Sequence, residues 1–231
     1  RDRWYWRWDT QAKYEKNVRD YYRLLTAADR NVGRVLDSLR RTGHAENTVV
    51  IFMGDNGYYK GDRGFAGKWS HFEESLRVPL VIFDPREIGR EKDRVCGAIA
   101  LNLDIAPTLL DLAGVEIPMD YQGMSLAKLT RAPDAPWPRD SFACEHLMEH
   151  PSIPKWEGIR TRRFTYANYF AQDPPFEFLH DRNKDPDQRR NVVDDVEYAD
   201  DLARLRERSV QMMAEYERSR KAPTPAANDA P

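Results

Sequence analysis

Cysteine is scarce in this sequence, and long apolar runs are absent. Only two cysteines occur among 231 residues, and neither lies in a C-x-x-C pair or at zinc-site spacing. The sequence leaves open whether Cys96 and Cys144 form a disulfide, and the simpler expectation is that both are small buried thiols. The best apolar runs, 48–53 and 78–83, have the length of a strand, which excludes a membrane-spanning helix.

A charge bias is missing as well. The 36 basic and 38 acidic residues give a formal net charge of -2. A balanced chain has no global attraction to nucleic acid or to an anionic membrane, so neither partner is predicted. Any anion site must therefore be local, and the sequence carries no signal for an oligomeric state.

The familiar complete catalytic motifs are also lacking. No Ser-His-Asp set, P-loop, HExxH or EF-hand pattern occurs. The five histidines are scattered, and His71 alone lies in a glycine-rich region. Candidate chemistry must therefore be sought in oxygen and ammonium groups near the end of a strand.

The first part of the chain has the pattern of an α/β fold. Apolar residues recur at helical spacing from Val18 to Thr42, and Gly43 is a plausible stop. Residues 48–53 are continuously apolar and β-branched, which is typical of a parallel strand buried on both faces. A second strand is predicted at 77–83 and a second helix at 103–113, with Asp104 as its N-cap. We expect a layered α/β domain.

Composition changes after Pro118, and a proline-rich connector spans 130–140. Beyond it the residue types predict strands at 141–146, 158–161 and 164–170, and alternation of apolar and polar residues predicts a fourth at 176–180. Helical periodicity predicts an amphipathic helix at 198–218. The predicted organisation is therefore an α/β domain over 1–129, a small α+β subdomain over 130–220 and a disordered tail over 221–231.

Asp55 and Asn56 directly follow the first predicted strand. Ligands in open α/β sheets bind at the carboxyl ends of strands. A carboxylate and an amide oxygen are hard ligands, suited to Ca²⁺ or Mg²⁺ rather than zinc. A plain D-N-G turn is the alternative, and it is favoured when the tetrapeptide is taken alone.

Lys68 lies twelve residues beyond Asn56, across a loop with four glycines. Glycines let a backbone fold closely around a small ligand. The lysine ammonium is a point-charge partner for a sulfate or phosphate oxygen, although a lone loop lysine is more often solvated. The N-terminal run 1–8, rich in Trp, Tyr and Arg, could stack on a sugar or nucleic acid, but packing against a missing N-terminal half of the protein is favoured.

A long ordered set of segments resembles the C-terminal half of the sulfatase family, the formylglycine-dependent sulfuric ester hydrolases of the alkaline-phosphatase-like superfamily. The segments are ADRNVGRVL (28–36), GDNG (54–57), GKW (67–69), EESLRVPL (73–80), LDIAPTLLDLAG (103–114), GIRTRRFTY (158–166), EFLHD (177–181) and DPDQ (185–188). The resemblance implies the C-terminal part of an α/β/α sheet domain, followed by a small antiparallel sheet with a C-terminal helix.

The resemblance also implies roles for four residues. Asp55 and Asn56 match the pair that helps to bind a divalent cation, usually Ca²⁺, and Lys68 matches the lysine that contacts the sulfate group. Arg63 stands where the family usually has the histidine of G-x-H-G. Arginine can bind an anionic substrate but cannot shuttle a proton at neutral pH, so a change in substrate or efficiency is expected.

The family's formylglycine nucleophile arises from a cysteine or serine in a C/S-x-P/A-x-R stretch, and the segments after Cys96, Cys144 and Ser152 lack its arginine. The resemblance therefore implies a nucleophile in a missing N-terminal half, and a fragment that is inactive alone. The implied substrate is a sulfated glycan or small molecule, met in the periplasm or outside the cell. The alternatives are a phosphodiesterase or phosphonate hydrolase of the same superfamily, and a degenerate non-catalytic relative.

Overall fold

The computed structural model describes residues 2–87 and 95–221. Contacts divide the chain into two units, Arg1–Val95 and Cys96–Pro231. Residues 96–129, which the sequence analysis grouped with the first domain, cluster with the second unit. The domain boundary predicted at residues 129–130 stays a prediction. Apart from Lys221, which ends the last helix, the predicted disordered tail lies outside the described residues.

The first unit contains, in chain order, α1 (Asp2–Arg7), α2 (Gln11–Arg41), β1 (Val50–Met53), β2 (Tyr59–Lys60), β3 (Ala66–Gly67), α3 (Glu73–Leu76) and β4 (Leu80–Phe83). α2 begins earlier than predicted because Thr10 caps it, with the Thr10 hydroxyl accepting from Lys13 N at 3.3 Å. The helix ends before Gly43, whose φ is 76°. No residue of α2 is buried.

The prediction that the first strand is parallel and buried on both faces is wrong for the described residues. β1 pairs antiparallel with β4, in the register Val50↔Phe83 to Met53↔Leu80. Phe52 and Val81 are 45% and 58% exposed. An apolar β-branched run specifies a strand but not its direction. The direction follows from the connection 54–79, which contains the β2–β3 hairpin and the short helix α3 but no crossover helix, and returns the chain antiparallel.

The second unit begins with α4 (Ile105–Leu112) and α5 (Ala127–Arg131). Asp104 occupies the predicted N-cap position of α4, but its side chain does not cap that helix. Its carboxylate instead accepts from Leu101 N at 2.7 Å, from Met124 N at 2.8 Å and from the Arg139 guanidinium, with Nη2 to Oδ1 at 2.7 Å. The Asp104 carboxylate therefore holds together the segments that contain Leu101, Met124 and Arg139. Helical periodicity in the sequence does not predict these contacts.

The four strands of the small sheet are confirmed as an antiparallel meander, in the order β5 (Ser141–His146), β6 (Trp156–Thr161), β7 (Phe164–Tyr169) and β8 (Phe176–Asp181). Close packing of β6 on β7 needs a glycine, because a Cβ at Gly158 would lie 2.1 Å from the Tyr166 carbonyl oxygen. A two-residue turn joins β6 to β7, whereas residues 147–155 connect β5 to β6.

The last helix, α6 (Ala199–Lys221), covers this sheet. The buried cluster comprises Ile159, Phe164, Tyr166, Leu179, Val192, Tyr198, Leu202, Leu205 and Met212. Val210, an apolar residue of this helix, is 66% exposed, while Ser209 and Met212 are buried. Steps of four and then three residues from Leu205 reach Ser209 and Met212 and pass over Val210. The helical repeat, and not the hydrophobicity of each residue, therefore decides which side chains face the sheet.

Asn191 lies along the outer edge of β8. Its side-chain oxygen accepts from Leu179 N at 2.9 Å, and its Nδ2 donates to the Glu177 carbonyl at 3.0 Å. The backbone then continues the pattern, with Val192 N donating to the Leu179 carbonyl at 2.9 Å. One amide side chain therefore provides the donor and the acceptor that a neighbouring strand would supply.

Cys96 and Cys144 are not joined by a disulfide. Cys144 is partly buried, but Cys96 is exposed, so the expectation of two buried thiols is wrong for Cys96. Its Sγ donates to the Pro133 carbonyl at 3.2 Å. Within the described residues, no helix is both long enough and apolar enough to cross a membrane.

Asp181 at the end of β8 is buried, and the Arg163 guanidinium beside it lowers the pKa of its carboxyl group. Because the folded pKa is depressed, the stabilisation is present above the unfolded pKa of about 4 and is lost as pH falls through the folded value. We expect Asp181→Asn to lower the free energy of unfolding by about 2 kcal/mol at pH 7. Urea titrations at pH 7 and pH 3 should show the difference from wild type shrinking at pH 3.

The control for this prediction is Asp187→Asn, which removes an aspartate that is 66% exposed beside Arg189. Exposed pairs contribute little, so its free energy of unfolding should stay within about 0.5 kcal/mol of wild type at both pH values. An Asp181→Asn variant with the same stability loss at pH 3 as at pH 7 would contradict the electrostatic origin.

Candidate functional site

Two glycines hold the segment that follows β1. Gly54 N donates to the Pro79 carbonyl at 3.1 Å, and Gly57 N donates to the Ser75 carbonyl at 3.0 Å. A Cβ at Gly57 would lie 2.1 Å from the Glu74 carbonyl oxygen, so only glycine permits this approach to α3. Residues 55 and 56 are therefore pinned at both ends, at the carboxyl end of β1.

The side chains of Asp55 and Asn56 are arranged by local hydrogen bonds. Asp55 is exposed, and its Oδ1 accepts from Asn56 N at 2.8 Å. Asn56 Nδ2 donates to the Gly57 carbonyl at 2.9 Å, which leaves the Asn56 Oδ1 atom available to a donor from elsewhere. This geometry includes the D-N-G turn that the sequence suggested, and it also presents two oxygen-bearing side chains side by side.

The glycine-rich loop brings Lys68 to Asn56. The Lys68 ammonium donates to Asn56 Oδ1 and lies 5.1 Å from the centre of the Trp69 ring. β2 and β3 pair in the register Tyr59↔Gly67, which reverses the chain and returns residue 68 to the end of β1. The predicted loop cation and the predicted strand-end oxygens therefore lie together, while their roles stay predictions.

The loop depends on left-handed backbone conformations. Gly61 and Gly67 have φ of 95° and 101°, and two non-glycine residues, Arg63 and Trp69, have φ of 58° and 106°. Non-glycine residues occupy this region only when surrounding contacts fix them. Here the Trp69 N–H donates to the hydroxyl of the buried Ser75 at 3.1 Å. The Lys68 position is thus set by its neighbours on both sides.

Tyr59 lies beneath the loop and is 1% exposed. Its hydroxyl is hydrogen bonded to the Ser70 hydroxyl, and burial raises the pKa of the Tyr59 phenol. His71 is fully buried, with its ring centre 4.0 Å from that of Phe72. No periodic pattern in the sequence indicated these internal groups, because they belong to a two-residue strand and a loop rather than to a long element.

Arg63 is held by contacts within the protein. Its Nε donates to Glu74 Oε1 at 2.9 Å, its guanidinium lies 4.2 Å from the centre of the Phe72 ring, and its side chain is 18% exposed. The residue therefore links the hairpin to α3. Direct binding of substrate by Arg63 stays a prediction. For such binding the guanidinium would have to contact substrate and Glu74 together, or to leave Glu74.

The donor chemistry of this site fits a hard divalent cation. One carboxylate and one amide oxygen lie next to each other, and an amide oxygen with two lone pairs can accept from Lys68 and still face a metal. Over residues 2–87 and 95–221, no group of three or more His, Cys, Asp or Glu side chains could hold a metal ion. Asp55 and Asn56 could therefore supply only part of a coordination shell.

Two family models match the chain. One is described as sulfatase and matches residues 5–115. The other is described as N-sulphoglucosamine sulphohydrolase, C-terminal, and matches residues 61–215. The two matched regions overlap at the loop that carries Lys68 and together include both units.

Individual proteins give the same result. The chain is 34% identical over 193 residues to an N-acetylglucosamine-6-O-sulfatase of Bacteroides thetaiotaomicron, covering 81% of this chain and 34% of that protein. A solved structure of a protein in complex with its substrate D-glucosamine-2-N,6-O-disulfate matches with a TM-score of 0.81 and 31% identity, covering 91% of this chain and 43% of the other. The phosphonate monoester hydrolase of Agrobacterium radiobacter matches with a TM-score of 0.70 and 27% identity, covering 85% and 41%.

These similarities confirm the predicted fold class, the C-terminal part of an alkaline-phosphatase-like α/β domain with a small antiparallel sheet and a C-terminal helix. The chain spans about a third of the length of the curated relative it matches.

Proposed function

Because the chain belongs to the sulfatase family, we propose that the full-length protein hydrolyses a sulfate ester, with a sulfated glycan or a related small molecule as its substrate. The observation that carries this proposal is the contact between the Lys68 ammonium and Asn56, beside Asp55, at the carboxyl end of β1. The name of the curated relative, an N-acetylglucosamine-6-O-sulfatase, and the substrate of the solved neighbour, a disulfated glucosamine, support the class of substrate.

Asp55 and Asn56 are the proposed ligands from this chain for a Ca²⁺ ion, with the remaining ligands and a formylglycine nucleophile supplied by sequence outside residues 1–231. Such an ion, when bound, supplies fixed positive charge that holds sulfate oxygens and activates the nucleophile. The turn between Gly54 and Gly57 orients the Asp55 and Asn56 side chains, because backbone hydrogen bonds hold both ends of the turn at the end of β1.

Lys68 is the proposed catalytic and substrate-binding cation. Its ammonium would face a sulfate oxygen in the ground state and offset the charge on the leaving oxygen as the S–O bond breaks. Two unit charges 4 Å apart near a protein surface interact by about 4 kcal/mol, which is enough to change a rate by orders of magnitude. Asn56 contributes by holding the ammonium in place before substrate binds.

Arg63 is proposed as a second contact for the anionic substrate. The Glu74 carboxylate and the Phe72 ring fix its guanidinium, and the family's usual histidine is absent from this position. A guanidinium remains charged at every working pH, so it can attract sulfate but cannot take part in proton transfer. Any proton delivered to the leaving group must come from another residue or from water.

A phosphonate or phosphate diester hydrolase is the second candidate, and it is favoured by the structural match to a phosphonate monoester hydrolase. The two candidates are separated by assaying the full-length protein on 4-nitrophenyl sulfate, 4-nitrophenyl phosphate and 4-nitrophenyl phenylphosphonate. We expect kcat/KM for the sulfate to exceed the other two by about 10²-fold, or about 3 kcal/mol. Preference for the phosphonate would favour the second candidate, and no turnover of any ester would favour a degenerate relative.

The isolated chain of residues 1–231 is proposed to be inactive in the same assay, because it offers two metal ligands and none of its cysteines lies in the family's nucleophile motif. A location of the full-length protein in the periplasm or outside the cell stays a prediction.

A further inference from the structure

The short helix α1 is fixed at its carboxyl end. The Lys13 ammonium donates to the Tyr5 carbonyl and pairs with Asp9 at 2.8 Å, while Asn17 Nδ2 donates to the Arg7 carbonyl at 3.2 Å. The last carbonyls of a helix have no partners within it, so these two α2 side chains satisfy groups that would otherwise be open. α1 is therefore tied to the first turns of α2.

A second contact joins α1 to the hairpin of the candidate site. Trp8, which follows α1 directly, is 7% exposed. A Cβ at Gly61 would lie 3.4 Å from Trp8 Cε3, so the indole rests on the bare backbone of the hairpin turn. Gly61 has φ of 95°, which glycine adopts readily. Trp8 thus fixes α1 against the segment that carries Lys68.

These two contacts place two arginines beside the site. Arg3 and Arg7 are one helical turn apart and share a face of α1. A Cβ at Gly67 would lie 3.6 Å from Arg3 Nη1, so that guanidinium lies over the residue before Lys68. Arg7 Nη1 lies 3.5 Å from the hydroxyl of Tyr58, two residues after Asn56.

The two arginines on this face of α1 have no carboxylate partner among the described residues. Within the described parts of the chain, neither Arg3 nor Arg7 forms an ion pair with a carboxylate, whereas Arg63 in the same region is paired with Glu74. Arg3 is also exposed. In a chain with a formal net charge of -2, two uncompensated guanidinium groups one turn apart make a local anion-attracting surface.

We infer that Arg3 and Arg7 form a second anion subsite next to the Asn56–Lys68 contact, which selects substrates carrying another sulfate or carboxylate near the ester that is cleaved. The inference rests on the proposed function. Guanidinium groups suit it because their planar donor fork matches the oxygens of sulfate and carboxylate. Arg3 and Arg7 are specificity-determining residues under this proposal, and they take no part in bond cleavage.

The test compares two sugars on the full-length protein, D-glucosamine-6-O-sulfate and D-glucosamine-2-N,6-O-disulfate. For the double variant Arg3→Gln/Arg7→Gln, we expect the ratio of kcat/KM, disulfate over monosulfate, to fall about tenfold, since each exposed charge contact contributes a factor of a few. The change should lie in KM rather than kcat, because both contacts form in the ground state and persist in the transition state.

The matched control is Arg30→Gln/Arg41→Gln, which removes two exposed arginines from α2 and the same total charge. Its ratio should remain at the wild-type value, and Arg3→Lys/Arg7→Lys should recover part of the loss. If Arg3→Gln/Arg7→Gln lowers kcat/KM equally for both sugars, or for neither, the subsite is refuted.

Calorimetric binding of the same two sugars separates this inference from the proposed function. Wild-type protein that turns over neither 4-nitrophenyl sulfate nor these two sugars would refute the proposed function. The subsite would then be judged on affinity alone: a loss of about fivefold or more for the disulfate only supports it, and equal losses or none overturn it.

Discussion

Replacing Lys68 with alanine in the full-length protein is expected to lower kcat about 10²- to 10³-fold, or roughly 3–4 kcal/mol, as removal of one fixed charge-stabilising donor does in other hydrolases. The ammonium sits on Asn56, at the point where the sulfate group is proposed to bind. Steady-state kinetics with 4-nitrophenyl sulfate give the measurement. The melting temperature should change little, because the side chain is only partly buried.

Lys60→Ala is the matched control for this prediction. Lys60 belongs to the same hairpin, and its ammonium lies 4.5 Å from the centre of the Tyr21 ring rather than at Asn56. It should retain kcat within about threefold of wild type. Lys68→Arg keeps the charge but changes its shape, so we expect partial activity only. A Lys68→Ala variant with wild-type kcat would remove Lys68 from the catalytic machinery.

Replacing Asp104 with alanine is expected to destabilise the second unit by about 3–5 kcal/mol, because it leaves a buried guanidinium uncompensated. Asp104 is 0% exposed, and the Arg139 side chain that it pairs with is 9% exposed. The change also leaves the Leu101 and Met124 N–H groups without their acceptor. Urea unfolding followed by tryptophan fluorescence would report the loss, since Trp137 Nε1 donates to the Ile99 carbonyl close to this pair.

Asp140→Ala provides the comparison for Asp104→Ala. Asp140 is exposed and accepts from the Ser141 hydroxyl at 2.8 Å, so its loss should cost no more than about 0.5 kcal/mol. The double variant Asp104→Ala/Arg139→Leu should recover part of the stability, since a buried pair removed together leaves no bare charge. An Asp104→Ala variant within about 1 kcal/mol of wild type would contradict this account.

The strands of the small sheet could be predicted from the sequence because each is a short run of β-branched, aromatic and apolar residues. Residues 141–146 form β5 as predicted, and β8 ends one residue beyond its predicted range. Residue type along a short run is local information, so no distant contact has to be known. The extent of the terminal helix could also be predicted from the sequence. The residues of this helix that face the sheet could not, because the apolar residue Val210 is exposed.

The direction in which β1 pairs with its partner strand and the geometry of the candidate site could not be predicted from the sequence. Strand direction depends on the path of residues 54–79, and hydrophobicity does not encode that path. Glycines in the loop signalled sharp turns, but the left-handed conformations of Arg63 and Trp69 depend on contacts made after folding. Residue type and resemblance therefore singled out Asp55, Asn56 and Lys68, whereas only the structure could reveal the anchoring of α1 through Trp8.

Asn191 has a consequence for how copies of this protein can associate. Leu179 and Glu177 present the backbone groups from which a further strand would normally be templated, and the Asn191 side chain and Val192 N–H already occupy them. Strand exchange or fibre growth starting at this side of the small sheet would first have to displace those bonds. This edge of the sheet is thus covered by two residues, Asn191 and Val192, where many proteins use a proline, a lysine or a covering helix.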